Sequence, residues 1–203
     1  MTDSVYNAPA TPISREEGHA DTTTLFGFWL YLMTDFMLFA SLFAVFAVLR
    51  GNTFGGPGGG DIFSLPSVLT GTLVLLASSF TCGLALLSAR LYRRTETILW
   101  LAVTAALGMW FVAMELSEFT HLVSEGLGWE RSAFLSAFFT LVGTHGIHVS
   151  IGIVWILALI GALYFQGFSR GHLRKLFLLT IFWHFLDIIW IFIFTFVYLF
   201  GTL

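Results

Sequence analysis

Eight ionisable side chains lie inside stretches of this chain that are otherwise apolar. "FWHFLDIIWIF", Phe182–Phe192, holds His184 and Asp187; "VGTHGIHVSIG" holds His145 and His148; "MELSEFTHL" carries Glu115, Glu118 and His121; "YLMTDFMLF" carries Asp35. An imidazole beside a carboxylate can share a hydrogen bond or pass a proton. Glu118–His121 is a Glu-x-x-His element, the local element of di-iron carboxylate bundles, which need two such elements and two further glutamates on facing helices. One element is present here, and the other deeply placed acids, Asp35 and Asp187, are aspartates at a different depth. His145 or His148 could serve as an axial haem ligand, but a lone His-x-x-His is weak evidence for haem. The residues alone leave three chemistries open. They are an interhelical hydrogen-bond layer that fixes packing, proton or lipid-headgroup handling, and metal or haem binding.

The elements that position these residues follow from the apolar runs. The chain has 203 residues, 57% hydrophobic and 10% charged, against about 25% charged in a soluble domain. Five runs, Leu25–Leu49, Pro66–Ala89, Ile98–His121, Phe134–Phe165 and Leu176–Phe200, each reach the ~20 residues that cross a 30 Å hydrocarbon layer as a helix. Continuous apolar runs of this length exclude membrane strands, which alternate and are about ten residues long. The predicted fold is therefore all-α, a polytopic membrane protein with a bundle of five transmembrane helices spanning residues 25–203. The rise of a helix places Asp35 and Asp187 about 15 Å, and His184 about 12 Å, from one end of their helices. The i, i+3 spacing predicts that His145 shares a face with His148, and His184 with Asp187. Gly143, Gly146, Ser150 and Gly152 would let their helix approach a neighbour closely. Glu115, Glu118 and His121 fall near the opposite surface.

Residues 1–24 are polar, with two prolines and mixed charge, and read as a solvated, mostly disordered tail without the pattern of a secretory signal. Arg15, Arg90, Arg93, Arg94, Arg170, Arg174 and Lys175 fall on one side of the membrane, and only Arg50 and Arg131 on the other. The positive-inside rule then predicts a cytoplasmic N-terminus and an outward C-terminus. Cys82, the single cysteine, excludes an internal disulfide and a Cys-rich metal site. "GNTFGGPGGGD" has no lysine and no P-loop helix after it, so it reads as an external turn. No internal repeat supports a transporter of the inverted-repeat kind.

"FFTLVGTHGIHVSIGIVWI" followed by "FWHFLDIIWIFIFTFVYLFG" resembles the last two helices of subunit III of the haem–copper terminal oxidases. "YLMTDFMLFASLF" is similar to that family's third helix, whose buried carboxylate falls on Asp35, and "MELSEFTHL" places its glutamate on Glu118. The resemblance runs from Leu25 to Thr202. Five helices with "GGPGGGDIFSLP" after the first look most like the cytochrome o ubiquinol-oxidising form, although five-helix versions also occur among oxidases that use cytochrome c. The family's buried carboxylate is often Glu; here Asp35 is one methylene shorter. The resemblance implies a non-catalytic accessory subunit of a proton-pumping terminal oxidase that reduces oxygen to water, in a bacterial inner membrane with the C-terminus periplasmic. No cofactor or metal is expected in this chain. Haems and copper are expected in the partner subunit I. Subunit I, the other subunits and membrane phospholipid are the expected partners, and no nucleic acid is. Asp35, His145, His148, His184 and Asp187 are expected to form one buried polar layer supporting stability, lipid binding and proton uptake. The alternatives are an independent proton or solute transporter and a haem-binding membrane anchor.

Overall fold

A computed structural model describes residues 12–53, 55 and 65–200. Its helices are α1 (Pro12–Leu49), α2 (Leu65–Arg90), α3 (Arg94–Ser124), α4 (Ala133–Gln166) and α5 (Arg170–Ile193), the last continuing into a π-helical turn, Phe194–Leu199. No strand occurs among the described residues. All five helices are long and apolar enough to cross a membrane, which makes the chain an all-α, multi-pass membrane protein, as the sequence predicts. The polar segment read as a disordered tail is helical from Pro12; a proline at the first helical position forgoes only an N–H that has no intrahelical partner anyway. Residues 1–11 and most of the glycine-rich turn after α1 lie outside the described residues.

Helix ends follow local chemistry. Ser132 and Ser169 precede α4 and α5, and their side chains accept from the backbone N–H groups of Leu135 and His172. Such caps satisfy donors that a helix N-terminus leaves orphaned. The cap at Ser169 starts α5 six residues before the apolar run begins, through Arg174 and Lys175. Gly126 and Gly167 close α3 and α4 with φ of 75°, a left-handed conformation that favours glycine. Tyr92 takes the same conformation after α2, with φ 56°, and its ring meets Phe168 at 5.9 Å.

The chain divides into two compact units, Met1–Met37 and Leu38–Leu203. The first unit contains the N-terminal part of α1. In the second, α2 packs on α3, α3 on α4, α4 on α5, and α5 back on α2, closing a four-helix ring. The C-terminal part of α1 joins this unit through Phe39, Phe43 and Phe46, whose rings meet His148, Phe192 and Phe134 respectively.

The centre of the ring is a tryptophan. Trp183, 2% exposed, projects from α5 toward glycines on two other helices. A Cβ added at Gly108 of α3 would stand 2.9 Å from its ring, and one added at Gly152 of α4 would stand 2.8 Å from it. Both spaces are too tight for any larger residue, so two helix backbones lie directly against the indole. Of the small residues singled out on α4, Gly152 alone has this role. A Cβ at Gly143 would make ordinary contact with Phe119, and one at Gly146 would meet nothing within 4 Å.

Candidate functional site

The interior of the second unit is fastened by hydroxyls and indoles. Trp183 Nε1 donates to Ser78 Oγ at 3.0 Å, and Trp190 Nε1 donates to Thr72 Oγ1 at 3.0 Å. The Cys82 thiol donates to Thr180 Oγ1 at 3.8 Å. These three contacts run in opposite order along α2 and α5, fixing the two helices antiparallel. Thr81 and Thr104 share a hydrogen bond of 2.8 Å between α2 and α3. In a membrane, where lipid offers no competing partner, such bonds contribute about 0.6 kcal/mol each on average and up to about 1.7. Serine, threonine and tryptophan carry no charge, so nothing ionisable marks these contacts in the sequence. The seven-residue interval between Trp183 and Trp190, which puts both on one helix face, was the available signal.

The ionisable residues of the second unit differ in burial and in partners. His145 is fully buried. Its ring stacks on Trp190 (centroids 5.2 Å apart, planes at 28°) and meets Phe111 and Phe39 edge-on at 6.1 and 6.3 Å. Neither of its ring nitrogens has a hydrogen-bond partner among the described residues. It is held as an aromatic ring. His148, half-buried one turn later, directs Nδ1 to the Thr144 carbonyl at 2.7 Å; a carbonyl only accepts, so Nδ1 carries the proton. Its ring lies 5.2 Å from Phe39.

A second group gathers one turn beyond Phe111. Glu115 is buried, with one carboxylate oxygen lacking a partner among the described residues. Half-buried Glu118 lies near the Tyr198 hydroxyl. Tyr198 belongs to the π-helical turn, and its ring lies 6.2 Å from Trp190 and 5.9 Å from Phe138. Eight α-helical steps would rotate it about 80° away from Trp190; the wider π turn makes up that difference and points it inward. His121 is exposed, with Nε2 3.6 Å from a Glu125 carboxylate oxygen.

The third group is His184 with Asp187. Asp187 is buried and faces Ser79 of α2, whereas His184 is exposed. Three helical steps leave side chains about 60° apart, enough here to set one on the inner face and the other on the outer. Asp35 lies in the first unit, where it hydrogen-bonds with Tyr31 one turn earlier. No group of three or more His, Cys, Asp or Glu side chains that could hold a metal ion occurs among the described residues. Glu118 and His121, the Glu-x-x-His element, separate into a half-buried and an exposed residue.

The geometry thus describes a tightly fitted helical unit with scattered polar groups. Its sequence relatives match it over nearly their whole length. A profile of the family described as cytochrome c oxidase subunit III matches residues 16–202. The chain is 52% identical over 199 residues to cytochrome bo(3) ubiquinol oxidase subunit 3 of Pseudomonas aeruginosa, covering 97% of this chain and 95% of that protein. It is 46% identical over 177 residues to the protein of the same name from Buchnera aphidicola, covering 87% and 91%. With the probable quinol oxidase subunit 3 of Staphylococcus saprophyticus it shares 42% over 187 residues, covering 92% and 93%. The chain belongs to the cytochrome c oxidase subunit III family.

Proposed function

We propose that this chain is the accessory third subunit of a quinol-oxidising haem–copper terminal oxidase, which reduces oxygen to water in the aerobic respiratory chain of a bacterial inner membrane. One observation carries the reading: relatives from three distant genera, aligned over about nine-tenths or more of their length, are all named as quinol oxidase subunit 3. The family description mentions cytochrome c, but the relatives' names favour quinol as the electron donor.

Within such a complex this chain is non-catalytic. The scatter of its ionisable residues supports that reading, because a haem or copper centre needs convergent ligands. Haems and copper belong to the partner subunit I. This chain adds stability to the assembly, contacts phospholipid and assists proton uptake. Asp35, His145, His148, His184 and Asp187, with Glu115, Glu118 and His121 toward the other surface, are the polar groups available for those roles. The bias of arginine and lysine toward one set of loops supports a cytoplasmic N-terminus and a periplasmic C-terminus.

The test is affinity purification of the tagged chain from native membranes in mild detergent. The expected result is co-purification with larger subunits carrying two haems and copper, and quinol-dependent oxygen consumption by the complex. Recovery of the chain alone, or as a homo-oligomer, would instead support an independent transporter.

A further inference from the structure

His184 lies midway along the continuous helix Gly171–Leu199, thirteen residues from one end and fifteen from the other. At 1.5 Å per residue it lies about 13 Å from Lys175, which marks one membrane surface, and about 22 Å from Leu199, which places this imidazole well inside the hydrocarbon layer. It is also exposed. Among the described residues it is the one exposed His, Asp, Glu, Lys or Arg side chain at such depth; Asp35, Glu115, His145 and Asp187 are all buried. Its described polar neighbour is Asp187, one turn on and facing inward.

An imidazole has two nitrogens that hydrogen-bond, and acyl chains can satisfy neither. Polar side chains at this depth face protein or a water-filled cavity. Lipid headgroups lie too far off to reach it. The same outward face continues through Ile188 and Ile191, at the i, i+4, i+7 spacing of a helix-packing ridge. The opposite face of α5 is already committed, with Trp183, Leu186, Ile189, Trp190 and Ile193 buried in the ring.

Resting on the reading of this chain as one subunit of a larger oxidase, we infer that the His184–Ile188–Ile191 face of α5 docks against a transmembrane helix of another subunit, which presents a hydrogen-bonding side chain to His184 within the hydrocarbon layer. The partner residue is a hydroxyl, amide or carboxylate flanked by apolar side chains that cover Ile188 and Ile191. His184 therefore fastens the assembly from outside the helical ring, while the residues around Trp183 fasten the ring itself.

The inference is tested on the complete complex in native membranes, with His184→Leu and His184→Gln and, separately, a photoreactive benzoylphenylalanine in place of Ile188. His184→Leu removes the hydrogen bond from an outward face without opening the interior. It should lower the fraction of other subunits retained on the tagged chain after detergent extraction by roughly three- to twentyfold, the range expected for one intramembrane hydrogen bond. His184→Gln, which can still donate and accept, should retain them close to the unmodified level. Irradiation should join position 188 to another oxidase subunit. Undiminished retention in His184→Leu, equal loss in both variants, or adducts only with lipid or a second copy of this chain would each overturn the inference. If the unmodified tagged chain retains no other subunit, the reading as an oxidase subunit falls first.

Discussion

Replacing Gly152 with alanine should loosen the chain at its most crowded point. The added Cβ would stand 2.8 and 3.0 Å from two atoms of the Trp183 ring and 3.3 Å from Phe182. Trp183 has no direction of retreat: a Cβ at Gly108 on its other side would be only 2.9 Å away, and Nε1 is tied to Ser78 at 3.0 Å. Inserting one carbon into a packed core costs about 1–3 kcal/mol. Displacing the indole from Ser78 adds roughly 0.6–1.7 kcal/mol. The better helix propensity of alanine offsets at most about 1 kcal/mol, and less in a helix that lipid already enforces. A net loss of about 1–5 kcal/mol follows. It can be read as the SDS fraction at which the chain unfolds in mixed micelles, followed by tryptophan fluorescence. Trp183→Phe removes the ring atoms that clash. The double variant should therefore be less destabilised than the sum of the two single variants by about 1 kcal/mol or more. A Gly152→Ala chain that unfolds where the parent does, or strict additivity, would refute the account of Trp183 as the wedge between α3 and α4.

The other expectations use the same titration. His145→Phe keeps the stack on Trp190 and removes two nitrogens that lack described partners, so stability should hold or rise by about 1–3 kcal/mol; a loss above about 1 kcal/mol would mean that those nitrogens are satisfied. Thr72→Val removes the acceptor of Trp190 Nε1 and should cost about 0.6–1.7 kcal/mol, while Thr72→Ser should match the parent. Gly126→Ala forces a Cβ into the left-handed turn that ends α3 and should cost about 1–2 kcal/mol, visible as unfolding at a lower SDS fraction.

The five helices were legible because apolar length suffices to name a membrane span. The residues at their polar ends were less so. The run starting at Leu176 hides the first turns of α5, whose Arg174 and Lys175 suit a membrane surface and whose start is set by the Ser169 cap. Apolar length says equally little about the polar stretch after Pro12. The polar site was legible in composition and not in arrangement. Spacing of three residues suggested that His184 and Asp187 share a face, but a 60° offset suffices to turn one outward when the inner face is filled by Trp183 and Trp190. His145 was expected to be a hydrogen-bonding group and is instead enclosed by Phe39, Phe111 and Trp190, a surrounding assembled from three helices that no local motif encodes. Tyr198 enters the interior only because the helix widens into a π turn at Phe194, a change of register that the apolar run does not announce.

The most direct test of the central claim is to measure haem, iron and copper per partner subunit in the oxidase purified with this chain and in the oxidase from cells lacking it. A chain whose polar groups serve packing and assembly leaves those ratios unchanged, and its absence shows as a complex that dissociates more readily. Loss of a stoichiometric haem or metal ion together with this chain, from partner subunits that otherwise remain assembled, would contradict the account.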